Sequence, residues 1–197
     1  MQIEKKYYKV DSKELVNLLI QHINESDLIA LDTETTGLNV RKDKIVGFSV
    51  SGDEGIGFYL PTMQWNAETE TLEELKIAGW SAHEVTERIF NMLHGKRLIC
   101  HNASFDLRVI KNFYGINLID SLWADTSLLV HTVNEEGAFG FGNPFGLKSI
   151  AKMVQEEIGL DVDEAANKEQ IEMKESVKAN GGEITKINFE IYKADID

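Results

Sequence analysis

Short apolar runs closed by polar or glycine-bearing stretches alternate with segments of helical period along most of this chain. Asp11 or Ser12 can cap a helix with Leu15, Leu18, Leu19 and Ile23 on one side. Leu28-Ile29-Ala30-Leu31 then reads as a buried strand. Ile45–Val50 and Ile56–Leu60 are β-rich runs separated by Ser51-Gly52-Asp53-Glu54-Gly55, so they read as its antiparallel neighbours. Trp65 to Trp80 is polar and acidic and reads as an exposed loop or short helix. Ser81 with Glu84 forms a capping box for a helix to about Leu93, closed by Gly95. A strand at Arg97–Cys100 leads into a helix from Ser104 to Tyr114, for which Asn102 is the expected N-cap. A short strand at Ile119–Trp123, a helix at Asp125–His131, a glycine-rich loop at Asn134–Pro144 and a helix at Leu147–Val154 follow. Asp161 to Glu175 is rich in Glu and Lys and is broken by Asn180-Gly181-Gly182, so 161–183 reads as a variable, exposed insertion in a single domain of 197 residues. The order predicts an α/β fold: a mixed central sheet of about five strands, the first three antiparallel, flanked by helices.

Two acidic residues break the apolar logic. Asp32 and Glu34 end the Leu28 strand, and residues two apart in a strand point to the same face. Paired anions repel and lose solvation unless a cation sits between them, and oxygen-only ligands suit Mg²⁺ or Mn²⁺. The bland alternative is a strand end open to solvent. Asp106 lies on the apolar stripe of the second helix with Val109, Ile110 and Phe113. Its place in the first turn, where the helix dipole favours an anion, is the competing account of it. A strand with Asp-x-Glu beside a helix with an inward Asp makes a three-carboxylate cluster that neither bland account explains.

Composition narrows the setting. The single cysteine, Cys100, falls in a predicted buried strand, which excludes a disulfide framework, disfavours a catalytic thiol and reads as intracellular. Met1–Val10 carries no charged-then-apolar leader and no long apolar span follows, so nothing argues for secretion or a membrane. The net charge of −13 counts against unaided duplex binding, though not against a site that grips a few nucleotides through cations and stacking.

LIALDTETTGL, HNASFDL and FGLKSIAKMV, with ADTSLLVHTV between the last two, together resemble the proofreading 3′–5′ exonuclease domains of family A (polymerase I-like) DNA polymerases, especially phage ones. That family has a ribonuclease H-like fold and acidic residues that spell Asp-Glu-Asp-Asp. The resemblance implies two divalent cations, Mg²⁺ or Mn²⁺. Asp32 would bridge them, Glu34 would hold the one that binds the attacking water, and Asp106 would complete the shell of the other. Thr35 and the backbone after Asp32, at Thr33, would approach the terminal nucleotide. Leu38 would wedge between the last two bases, and Asn102 and Phe105 would line the strand-end pocket.

The family's third motif, Tyr-x-x-x-Asp or His-x-x-x-x-Asp, has no match here. All five histidines precede residue 132, and Tyr192 is followed by Asp195 and Asp197 at the wrong offsets. The resemblance therefore implies a fragment that stops ahead of that motif, with Asp195 as fourth ligand the alternative. The expected partners are a single-stranded 3′ end of DNA and a polymerase domain beyond residue 197, in the cytoplasm of a bacterial or phage-infected cell. Two other readings stand beside this one: an RNase D-like exoribonuclease, and a catalytically silent scaffold domain.

Overall fold

The computed structural model describes residues 5–66, 68–69, 71–133, 145–147 and 149–152. The backbone falls into two compact units, Met1–Gln64 with Glu73–Leu129, and Trp65–Leu72 with Val130–Asp197. In the first unit, β1 (Lys6–Lys9) precedes α1 (Lys13–Glu25), followed by β2 (Leu28–Thr35), β3 (Ile45–Asp53) and β4 (Ile56–Pro61). After β5 (Met63–Asn66), β6 (Thr71–Glu74), β7 (Lys76–Ile77) and β8 (Trp80–Ser81) come α2 (Ala82–Met92), β9 (Arg97–Cys100), α3 (Ala103–Tyr114), β10 (Leu122–Asp125) and α4 (Thr126–Val133).

Six strands form one mixed sheet in the order β1-β4-β3-β2-β9-β10. The β2–β3–β4 meander is antiparallel, as the sequence predicts, while β9 and β10 add in parallel on one side and β1 on the other. The sixth strand is β1, which the pattern of apolar residues does not announce: three of its four residues are exposed. Two short ladders between Met63 and Ser81, β5–β6 and β7–β8, take the place of the loop or helix expected at Trp65–Trp80. Of the predicted helix at Leu147–Val154, residues 147 and 149–152 are helical. The expected insertion at 161–183 and Tyr192, Asp195 and Asp197 lie outside the described residues.

Register explains how the sheet separates core from site. Ile29 faces Leu98 across the β2–β9 ladder, Leu31 faces Val50, and Val50 faces Phe58, all buried. Against this face pack Val16, Leu19 and Ile23 of α1, Val85, Ile89 and Phe90 of α2, and Val109 and Ile110 of α3. Each β2 residue that alternates with these, Ala30, Asp32 and Glu34, is open to solvent. The caps follow the sequence at two helices: Ser12 accepts from Leu15 N–H, and Ser81 accepts from Glu84 N–H.

The N-terminus of α3 departs from expectation. Asn102 sits at the cap position in left-handed geometry (φ 63°), which asparagine tolerates, and its side chain makes no cap bond. Asp125, at the end of β10, caps the helix instead: its two oxygens accept from the N–H groups of Asn102 (2.9 Å) and Ala103 (2.8 Å). The same carboxylate accepts from the Ser127 N–H and hydroxyl at the start of α4. Burial opposes ionisation of Asp125, but these four donors hold it below the usual carboxylate range. At its far end α3 closes on Gly115 (φ 71°), whose N–H bonds Lys111 O.

Candidate active site

The β2–β9 ladder ends at the Ala30–Ile99 rung, so the Thr33 N–H beyond it has no strand partner on that side. Asp106 supplies one. Its Oδ1 accepts from Thr33 N (2.9 Å) and Thr33 Oγ1 (2.6 Å). Asp106 is 3% exposed, and burial pushes its carboxyl up to about 6, against the pull of the two Thr33 bonds and with a further push from the Asp32 charge.

Asp32 and Glu34 stand on the opposite, open face of β2 from Thr33. Both side chains reach water, yet enough protein surrounds them that partial desolvation raises both carboxyls. His101 opposes the shift at Asp32; the charges of Asp32 and then Asp106 add to it at Glu34. His101 follows β9 and is held by a 2.9 Å bond between its Nδ1 and Thr126 Oγ1. Its influence on Asp32 depends on the pairing of β9 with β2, which no local sequence pattern specifies.

The three carboxylates therefore share one electrostatic neighbourhood. They approach β2 from different sides, however: Asp106 from the side of Thr33, Asp32 and Glu34 from the open face. Among the described residues, no three Asp, Glu, His or Cys side chains are gathered closely enough to hold a metal ion as they stand. The chemistry of the donor set still fits a hard divalent cation, because every donor is a carboxylate oxygen.

A third feature of the open face is Tyr59 on β4. Asp32, Ser49 and Tyr59 form one row across the meander, and Glu34 and Gly47 the next. The Tyr59 ring lies across Gly47, where a Cβ would fall 2.6 Å from Cζ. Burial, and then the nearby Glu34 charge, raise its hydroxyl above the ordinary tyrosine range. Cys100 is buried, and its thiol is pushed up to about 12 by burial and by the charges of Asp106, Asp125 and Asp32, which makes it inert.

The remaining predicted residues separate into two groups. Leu38, Asn102 and Phe105 line one open cleft of about 610 Å³, together with Asn39, Val40, Arg41, Ser104 and Arg108. Leu38 is 89% exposed at the tip of the loop after β2. That loop is organised by Asp43, which accepts from Thr36 Oγ1 (3.3 Å) and Asn39 N (2.6 Å), and by Asn112, whose amide bonds Val40 O (2.9 Å). Thr33 and Thr35 are instead buried: the hydroxyl of Thr33 is given to Asp106 and that of Thr35 to Gly37 O. Both threonines support the site from within, and neither hydroxyl faces the cleft.

A mixed sheet with helices on its buried face and carboxylates on the open face of its central strand is a ribonuclease H-like fold. The chain belongs to the 3′–5′ exonuclease family of family A DNA polymerases, whose profile matches residues 7–179. Among its relatives are the DNA polymerase DpoZ of Vibrio phage phiVC8, 30% identical over 113 residues, and the DNA polymerase of Mycobacterium phage D29, 32% identical over 124 residues. These matches cover 57% and 58% of this chain but only 15% and 17% of the two polymerases. In fold the chain is similar to the Nibbler EXO domain of Aedes aegypti (TM-score 0.52, 11% identity, 85% of this chain and 76% of that one). It is also similar in fold to Escherichia coli RNase D (TM-score 0.50, 20% identity, 81% and 35%). Among the described residues no helix is long and apolar enough to cross a membrane.

Proposed function

We propose that the chain is a proofreading nuclease unit that hydrolyses the terminal phosphodiester at the 3′ end of single-stranded or frayed DNA, releasing nucleoside monophosphates with the help of two divalent cations. The observation that carries this reading is the placement of Asp32 and Glu34 on either side of Thr33, whose N–H and hydroxyl both bond Asp106, within a chain of the 3′–5′ exonuclease family. Asp32, Glu34 and Asp106 would hold Mg²⁺ or Mn²⁺, whose contribution when bound is charge neutralisation at the phosphate and acidification of water.

The chain's own residues do the rest. Thr33 holds Asp106 against β2, His101 partly offsets the desolvation at Asp32, and Asp125 fixes the start of the helix that carries Phe105 and Asp106. Leu38 wedges beside the terminal base while Phe105 and Asn102 line its pocket, a recognition that does not depend on sequence. Unpairing is cheapest at a mismatch, so a frayed end is favoured. Delivery of the strand would fall to a polymerase domain in the same protein, in the cytoplasm of a bacterial or phage-infected cell. DNA is preferred to RNA as substrate because the sequence relatives are DNA polymerases.

The test is degradation of matched 5′-labelled DNA and RNA oligonucleotides in Mn²⁺. Stepwise shortening of the DNA from its 3′ end, abolished in a folded Asp32→Ala variant, is the expected result. Faster shortening of RNA would transfer the reading to an exoribonuclease. Absence of metal-dependent shortening of either would favour a silent scaffold.

A further inference from the structure

In a chain with 33 acidic and 20 basic side chains, two cations without anionic partners in one cleft need a physical reason. Arg41 and Arg108 line the cleft that also holds Leu38, Asn102, Ser104 and Phe105. Both arginines are exposed, and among the described residues neither guanidinium is engaged in an ion pair or hydrogen bond.

Their backbones are nonetheless fixed. Arg41 N–H bonds Asn39 Oδ1 (3.1 Å), Asn39 N–H bonds Asp43 Oδ2 (2.6 Å), and the carbonyl of intervening Val40 accepts from Asn112 on α3 (2.9 Å). Arg108 follows Ser104 and Phe105 by four and three residues on α3, so the three share one helix face. An exposed leucine, a half-buried phenylalanine and two free guanidinium groups thus border one open volume.

The molecule complementary to such a surface presents flat apolar groups on a chain of evenly spaced monoanions, which is single-stranded nucleic acid. The guanidinium fork matches the oxygens of a phosphodiester, and two such forks reverse locally the repulsion that a net charge of −13 imposes on a polyanion.

We propose that Arg41 and Arg108 form a backbone-phosphate subsite that grips the phosphodiesters leading up to the 3′-terminal nucleotide. This rests on the reading above that Leu38 and Phe105 receive that nucleotide. The subsite reads charge and not sequence, so it guides the strand without selecting a base.

The test is binding of a short fluorescent oligothymidylate to the whole chain in EDTA, followed by anisotropy over a range of salt. Arg41→Gln and Arg108→Gln are each expected to weaken binding by about tenfold. Each should also flatten the slope of log affinity against log salt by about 0.7, the value for one phosphate of a single strand. Arg108→Lys should keep the slope. Arg88→Gln, at an exposed arginine outside the cleft, should change neither quantity. Unchanged slopes in both cleft variants, or an equal change in Arg88→Gln, would overturn the proposal. Because binding is read without turnover, the two readings fail separately. Arginine-dependent binding without cleavage in Mn²⁺ sinks only the exonuclease assignment, and cleavage with arginine-independent binding sinks only the subsite.

Discussion

Thr33 gives its backbone N–H and its hydroxyl to the same oxygen of Asp106, at 2.9 and 2.6 Å, across a separation of 73 residues. This links the strand of Asp32 and Glu34 to the helix of Asp106 through a buried carboxylate. Thr33→Val keeps the shape and removes the shorter bond. We expect a loss of about 1–3 kcal/mol, the cost of leaving a buried charged acceptor short of a donor. Urea unfolding should show a larger deficit at pH 8, where Asp106 is ionised, than at pH 4. An equal deficit at both would mean that the hydroxyl matters only for packing.

The raised carboxyl of Asp106 sets a pH dependence whose sign is fixed. Its folded value of about 6 lies above the ordinary 3.8, so between these values the native state binds more protons than the unfolded state. The stabilisation is complete below about pH 4 and is lost as pH rises through about 6. Asp32 and Glu34 are raised too and act in the same direction. Asp106→Asn should therefore melt higher than the parent at pH 7.5 without metal, by up to about 3 kcal/mol, and match it near pH 4. Mn²⁺ at about a hundred times its Kd should add about 2.7 kcal/mol to the parent, and less to the variant. Parallel pH profiles for the two proteins would exclude Asp106 as the source.

The sequence disclosed the parts of the site that obey a local period and hid those that depend on long-range register. Asp32 and Glu34 were legible because a strand alternates, and Asp106 because a charge on an apolar helix stripe conflicts with its surroundings. The strand β1 was not, because its largely exposed residues carry no buried alternation and its place comes from pairing with β4. The ladders between Met63 and Ser81 were hidden for the same reason. Asn102 looked like a cap because its residue type caps helices; Asp125, 23 residues later, displaced it with a stronger charged acceptor. The convergence of Arg41 and Arg108 on one cleft is a property of tertiary packing alone.

Asp125 joins two helix starts through one carboxylate, so its loss should exceed that of a single cap. A cap of this kind contributes about 1 kcal/mol, and Asp125→Ala is expected to cost about 2. Asp125→Asn retains an acceptor and should cost less. Chemical denaturation checks both. A change in Asp125→Asn as large as in Asp125→Ala would show that a neutral acceptor does not sustain the two caps and that they depend on the charge.

Leu38 presents its side chain to solvent at 89% exposure, so truncating it removes almost no packing. Leu38→Ala should leave the melting temperature within about 1 °C, since exposed positions of this kind contribute within about 0.5 kcal/mol. It should nonetheless lower kcat/KM on single-stranded DNA by about tenfold, because fully burying a leucine side chain contributes about 1.5–3 kcal/mol and a base covers part of it. Unchanged kcat/KM would remove Leu38 from the site.

Gly47 lies opposite Glu34 in the β2–β3 ladder, and the Tyr59 ring occupies the space that a side chain there would fill. An added methyl meets Cζ at 2.6 Å and Cε2 at 2.8 Å, too close for the ring to stay. Gly47→Ala must therefore move the phenol or the strand, at a cost of about 1–3 kcal/mol from overpacking. Shortening the ring first relieves the clash, so in a Tyr59→Ala background the same substitution should be nearly free. The coupling between the two, read from a double-mutant cycle of urea unfolding energies, should reach about 1–3 kcal/mol. Additive effects would mean that the glycine serves the backbone of β3 and not the tyrosine. A coupled result, joined to a fall in cleavage in Tyr59→Phe at unchanged stability, would establish that Gly47 is small so that a hydroxyl can stand beside Glu34.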